Sequence, residues 1–150
     1  MKVLTVKEPW ASLIKEGLKT YEFRSWKTNY RGKILIHAGK TLEKDDAKRF
    51  EKYNLDYDKG AIIAEATLTD CILVTDELEK ELLKINKDVY KKSKHKRVYA
   101  WKLENIKKLD KKIYVNGKLG LWNYWLYIIL LTYFMIYYLY ISDYVTHFCV

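Results

Sequence analysis

The sequence predicts a small α+β protein: a mixed β-barrel with two or three helices, followed by an apolar C-terminal tail. Three observations predict it. Short runs rich in β-branched and aromatic residues recur along the chain between turn residues. Helical patterns are few and do not alternate regularly with these runs, which disfavours a parallel α/β sheet. Charge also stops abruptly, for no residue from Leu119 through Ser142 carries any.

The elements follow in order. Lys2 to Val6 alternates and predicts a short strand. Pro9 suits a first helical turn, Trp10, Leu13, Ile14 and Leu18 follow at helical spacing, and Gly17 ends the helix. Residues 20–24 read as extended. Strand geometry then sends Tyr21 and Phe23 to one face and Thr20, Glu22 and Arg24 to the other, with Lys19 in the preceding turn. Asn29 to Gly32 is turn-like, and Lys33 to Ala38 is a strand. Thr41 is placed to cap a second helix running to about Tyr53. Gly60 to Val74 predicts one long or two short strands. Thr75 or Asp76 opens a third helix through Leu78, Leu82 and Ile85. Lys91 to Arg97 is a basic loop, and Val98 to Ile106 a strand with Tyr99 and Trp101 on one face. Ile113 to Val115 and Leu119 to Trp122, around Asn116-Gly117, predict a closing hairpin.

A chain of 150 residues suits one domain with a single core. Its formal charge is +9, and residues 1–120 hold a net +10. That balance favours polyanions, either nucleic acid or an anionic membrane surface. AT-rich coding would also supply lysines, but it does not explain basic residues gathered at Arg24, Arg31 and Lys33. Cys71 and Cys149 form no disulfide framework, and Met1 to Val6 lead directly into the first strand with no signal peptide. The expected location is cytoplasmic. His37, His95 and His147 lack metal-ligand spacing, so neither a metal site nor a cofactor is expected.

The tail allows three readings. A helix over Leu121 to Ile141 would be roughly 31 Å long, enough to cross a bilayer, so Trp125 to Ile141 is a candidate tail anchor. It also fits a core or oligomer-forming segment, or an unselected extension. The expected organisation is therefore a domain over 1–124 and a hydrophobic aromatic tail over 125–150.

Gly17-Leu18-Lys19-Thr20-Tyr21-Glu22-Phe23-Arg24 carries the pattern Gly-x-Lys-x-x-Glu-x-Arg. With Glu8-Pro9-Trp10-Ala11-Ser12-Leu13-Ile14 upstream, and Ser25 to Ala38, Tyr99 to Ile106 and Gly117 to Tyr124 downstream, it resembles the ASCH domain family of the PUA-like superfamily. The resemblance spans roughly residues 2 to 124. It implies a PUA-like barrel that binds RNA, or a nucleotide sensed without chemistry. A subgroup is similar to amidohydrolases acting on acylated cytidine nucleosides. There Lys19 would attack the acyl carbon or activate water, and a carboxylate, Glu22 by position, would shuttle protons. This chain departs from that subgroup, which carries threonine where Glu22 stands. Glu65, Asp76 and Glu77 remain candidates for its second carboxylate.

The candidate binding residues are Lys19, Glu22, Arg24, Trp10, Trp26, Arg31 and Lys33. Lysine and arginine meet phosphate, a carboxylate accepts from a base edge, and tryptophan faces stack bases. Each has a plainer reading: a solvated turn lysine, a same-face ion pair, a helix-core tryptophan, a turn with solvated charges. His37 reads as a satisfied core or rim histidine, and Ser12 has no triad partners.

Overall fold

The computed structural model describes residues 1–91, 98–125 and Tyr137. Among these residues six strands form one mixed sheet: β1 (Lys2–Glu8), β2 (Tyr21–Arg24), β3 (Gly32–Leu42), β4 (Ala61–Leu73), β5 (Tyr99–Tyr114) and β6 (Leu121–Asn123). Their spatial order is β2-β5-β4-β3-β1-β6. β1 runs parallel to β3, and every other pairing is antiparallel. The helices are short: α1 (Trp10–Lys15), α2 (Lys44–Arg49), α3 (Asp76–Ile85) and α4 (Lys87–Tyr90), with a 3-10 turn at Glu51–Tyr53.

The sheet is curled but does not close into the expected barrel. Among the described residues, edge strand β2 pairs only with β5, and β6 only with β1. Curvature comes from three register shifts along β4 and β5, between Ile62/Ala64, Glu65/Thr67 and Leu68/Asp70. Bulged pairs bend a strand and sharpen its twist. The curl brings Arg24 on β2 within 2.6 Å of the Thr5 carbonyl on β1, although β5, β4 and β3 lie between them in the sheet. A side chain bridges the gap that a backbone ladder leaves open.

The concave face carries the main core. Leu4, Val6, Ile34, Ile36, Ile63, Leu68 and Trp101 pack there against Ala11 and Ile14 of α1. A second cluster under the helices joins Leu13, Phe50, Leu82, Val89 and Tyr90. A third, on the outer face, joins Val3, Leu35, Ile62 and Trp122. Aliphatic side chains are thus buried on both faces of β1 and β3, as expected of central strands.

Three local expectations change. Thr41 does not cap a helix, because β3 runs through it to Leu42, which pairs with Glu8; α2 starts after Glu43 with no side-chain cap. Residues 113–122 do not form a hairpin. β5 continues to Tyr114 against Ala61, while β6 crosses over to pair with Lys2–Leu4. α4 is additional, its first turn held by the Asn86 side chain, which accepts from the Asp88 and Val89 amides. The Thr75 cap is present, accepting from the Leu78 amide.

No helix among the described residues is long and apolar enough to cross a membrane. Leu121–Asn123 belong to β6, so a helix cannot start at Leu121. Most of the tail, residues 126–136 and 138–150, lies outside the described residues, as does most of the basic loop.

One buried network ties α1 to the 54–60 connection. The Glu8 carboxylate group accepts from the Ser12 amide at 3.0 Å and meets the Ser12 hydroxyl at 2.9 Å. That hydroxyl also donates to the Asp56 carbonyl at 2.7 Å. A hydroxyl has one proton, so both contacts are satisfied only if Glu8 brings a proton of its own. Burial pushes the Glu8 pKa up, against the Ser12 contacts and Lys15, which agrees. A raised folded-state pKa means stability that is complete below the ordinary carboxylate range and declines as pH rises through the folded value. Glu8→Gln, a permanently neutral isostere, is expected to stay within about 1 kcal/mol of wild type and abolish that decline. Glu8→Ala is expected to cost about 2–3 kcal/mol by orphaning the Ser12 amide. Urea titrations at several pH values measure both, and equal losses for the two variants would refute the protonated acid.

Candidate functional site

The site begins where α1 ends. Gly17 turns left-handed at φ 71°, which a glycine adopts without strain. The Leu18 and Lys19 amides then both donate to the Leu13 carbonyl, at 2.9 and 3.1 Å. The Tyr90 hydroxyl accepts from the Thr20 and Tyr21 amides, and the Leu103 amide donates to the Thr20 carbonyl. This clamped turn feeds Lys19 inward beneath the strand that follows.

Lys19 Nζ donates to Glu22 Oε2 at 2.7 Å and to the Tyr21 carbonyl. Arg24 Nη2 lies 3.3 Å from Glu22 Oε1 while donating to the Thr5 carbonyl. The Lys19 and Glu22 side chains are only 3% and 10% exposed. Burial alone would raise the Glu22 pKa, but Lys19 and Arg24 together outweigh it and hold the carboxyl below its ordinary range. Glu22 is therefore a carboxylate between two cations, with a net charge of +1 for the trio. Tyr21 and Phe23 point into the helical cluster and meet the Tyr90 ring edge-on at 6.5 and 6.2 Å. Lys19 Nζ also sits 5.8 Å from the Trp10 ring centre and 5.1 Å from that of Phe23.

These groups line a cavity of about 460 Å³, within the range of small-molecule pockets. It occupies the seam between β2 and the stretch of β1 that β6 leaves uncovered, since β6 pairs with Lys2–Leu4 only. Trp10 and Trp26 contribute aromatic walls, and Lys7, Lys118, Leu119 and Gly120 complete the lining. Trp26 is 37% exposed and meets Trp101 edge-on with ring centres 4.6 Å apart.

Five of the seven expected residues converge: Lys19, Glu22, Arg24, Trp10 and Trp26. Arg31 and Lys33 do not. Arg31 pairs with Asp70 at 3.0 Å and donates to the Thr28 and Tyr30 carbonyls. Lys33 is exposed at the start of β3, where its carbonyl accepts from the Tyr30 hydroxyl. Both serve the turn into β3 rather than the cavity. Sequence reasoning missed Thr5, Lys7 and the 118–120 wall. Their signal lies in strand pairing, which local pattern does not disclose.

His37 is buried, with Nε2 at 2.9 Å from the Val115 carbonyl and no hydrogen bond at Nδ1. Burial pushes its pKa down, the Val115 contact opposing, so the ring is neutral at ordinary pH. It acts as a support. A Cβ on Gly117 would lie 2.5 Å from His37 Cε1 and 3.0 Å from Thr5 Oγ1, so only glycine lets the 115–120 stretch cross here. Trp122 Nε1 donates to Thr5 Oγ1 at 3.0 Å, fixing the far end of that stretch. Ser12 is taken up by Glu8 and Asp56. No cluster of three metal-ligating side chains occurs among the described residues.

The family model for the ASCH domain matches residues 4–113. The chain belongs to the ASCH domain family. Among curated proteins, this ASCH chain is similar to activating signal cointegrator 1 of Homo sapiens, 34% identical over 83 residues, covering 46% of the chain and 14% of that protein. The Mus musculus protein of the same name is 33% identical over 81 residues, with the same coverage. The ASCH chain thus matches about one seventh of the length of these relatives. A crystal structure of ASCH from Zymomonas mobilis overlays with a TM-score of 0.49 at 16% identity, covering 75% of this chain and 72% of that one.

Proposed function

We propose that this ASCH domain binds RNA or a nucleotide, with one base entering the cavity at Lys19, Glu22 and Arg24. The carrying observation is the buried cation–carboxylate–cation trio inside an aromatic-lined cavity. Glu22 offers acceptor oxygens to a base edge. Arg24, whose side chain is partly exposed, offers guanidinium donors. Trp10 and Trp26 provide stacking surfaces, which tolerate any base. Lys118 on the lining supplies positive charge for the phosphate backbone, and Lys7, paired with Glu43 at 2.6 Å, lies beside it. The proposed binding unit is residues 1–124; the Met1 amine donates to the Tyr124 carbonyl and the Tyr124 amide to the Met1 carbonyl, which supports that extent.

Arg24→Ala is expected to weaken binding of a fluorescein-labelled single-stranded RNA at least about tenfold, the loss of one good charged contact. Lys84→Ala, on the exposed face of α3, is expected to stay within about twofold, and affinity falls steeply with salt. Fluorescence anisotropy reads both, with circular dichroism confirming the fold. Equal losses would leave only diffuse charge attraction and no defined pocket.

The alternative, an amidohydrolase of acylated cytidine nucleosides, needs a second carboxylate beside Lys19. Among the described lining residues Glu22 is the one carboxylate, and Glu65, Asp76 and Glu77 lie elsewhere. Turnover of acetylcytidine in the ultraviolet, abolished by Lys19→Ala, would reverse the ranking.

A further inference from the structure

Leu119 is fully exposed, yet it stands on the lining of the cavity between Lys118 and Gly120. Single exposed leucines are ordinary on protein surfaces. This one is presented by a backbone anchored on both sides. The Val115 carbonyl is held by His37, Gly117 is pressed against the His37 ring and the Thr5 hydroxyl, Gly120 turns at φ 71°, and Trp122 is tied to Thr5. The stretch, anchored at its two ends, therefore carries an apolar side chain next to a base-sized cavity, with a lysine beside it.

We propose that Leu119 is a wedge, which inserts into a structured RNA beside the nucleotide delivered to the cavity. The proposal rests on the reading of the cavity as a base site. Moving a base into the cavity leaves a gap in the stack from which it came. An apolar side chain beside the cavity mouth can fill that gap, covering base faces that would otherwise meet water. The leucine itself leaves water in the same step. Charge suits the same partner: Lys118 precedes the wedge, while Lys7 and Arg24 on the lining behind it are paired with Glu43 and Glu22. RNA offers such a target wherever a bulged base lies next to a stem.

The test uses the full chain and two probes: a nucleoside monophosphate, and an RNA hairpin with one bulged nucleotide and 2-aminopurine as its stacked neighbour. Leu119 makes no core contact, so its substitution leaves the fold intact. For Leu119→Ala the ratio of hairpin affinity to monophosphate affinity is expected to fall about tenfold, roughly the worth of one leucine's burial. The 2-aminopurine response on binding is expected to change with it, and Leu119→Phe to recover both. An unchanged ratio, with Arg24→Ala still weakening both probes, would overturn the wedge and leave the cavity reading standing. Indifference of both probes to Arg24→Ala would remove the cavity reading and the wedge together. Improved solubility of Leu119→Ala at unchanged hairpin affinity would assign Leu119 to a contact with its own chain, and would also overturn the proposal.

Discussion

Glu22→Gln is expected to destabilise the protein by about 3 kcal/mol at neutral pH, the usual consequence of removing one partner from a buried ion pair. The substitution preserves shape and removes only charge. It strips the buried Lys19 ammonium of the carboxylate 2.7 Å away and withdraws the acceptor beside Arg24. The pH dependence gives an internal check. The folded-state pKa of Glu22 is depressed, so its contribution is present above the ordinary carboxylate value of 4.5 and is lost as pH falls through the lower folded value. Wild type at low pH then resembles the glutamine variant, and the stability gap between them closes on acidification. Denaturant unfolding at neutral pH and at progressively lower pH measures that gap. A gap that stays constant would show that the charge of Glu22 contributes nothing and that the loss comes from exchanging a hydrogen-bond acceptor for a donor.

Gly117→Ala is the second large effect. The new methyl would lie 2.5 Å from His37 Cε1 and 2.7 Å from Nδ1. The imidazole has no room to retreat, being buried and bonded to the Val115 carbonyl. Something must shift, and the 115–120 stretch is the lighter body. The expected cost is about 2 kcal/mol, typical of an overpacked site. Because Lys118, Leu119 and Gly120 line the cavity, RNA affinity is expected to fall as well. A double-mutant cycle isolates the cause. His37→Ala alone loses packing and the Val115 contact, but it creates the space that the alanine needs. The double variant is therefore expected to be at least about 1 kcal/mol less destabilised than the two singles added together, a coupling normal for touching residues. Strict additivity would mean that the clash is relieved elsewhere and that His37 does not support the stretch.

The motif strand was legible because its information is local. Alternation alone placed Tyr21 and Phe23 against an apolar cluster and Glu22 and Arg24 in the cavity, although Phe23 also reaches the cavity lining. Gly17 and Thr75 also did what their residue types allow, one as a left-handed turn and one as a helix cap. Thr41 shows the limit. Its hydroxyl suits a helix cap as well as that of Thr75, yet parallel pairing of β1 with β3 draws it into a strand. The closing hairpin failed for the same reason: Asn116-Gly117 permits a tight turn, but β6 finds a better partner in β1. Arg31 and Lys33 had the charge expected of a binding site and were taken up by the turn into β3.

By itself the sequence determined what each segment can do: which stretches extend, which turn, which face is apolar, and that Lys19, Glu22 and Arg24 cluster along one short run. Only the tertiary structure decided that the sheet stays open, that Arg24 spans the opening to reach Thr5, and that residues 118–120 wall the cavity. The physical reason is range. Propensity and alternation act over a few neighbouring residues, whereas the partner of a strand edge is chosen by burial and hydrogen bonding summed across residues more than a hundred positions apart.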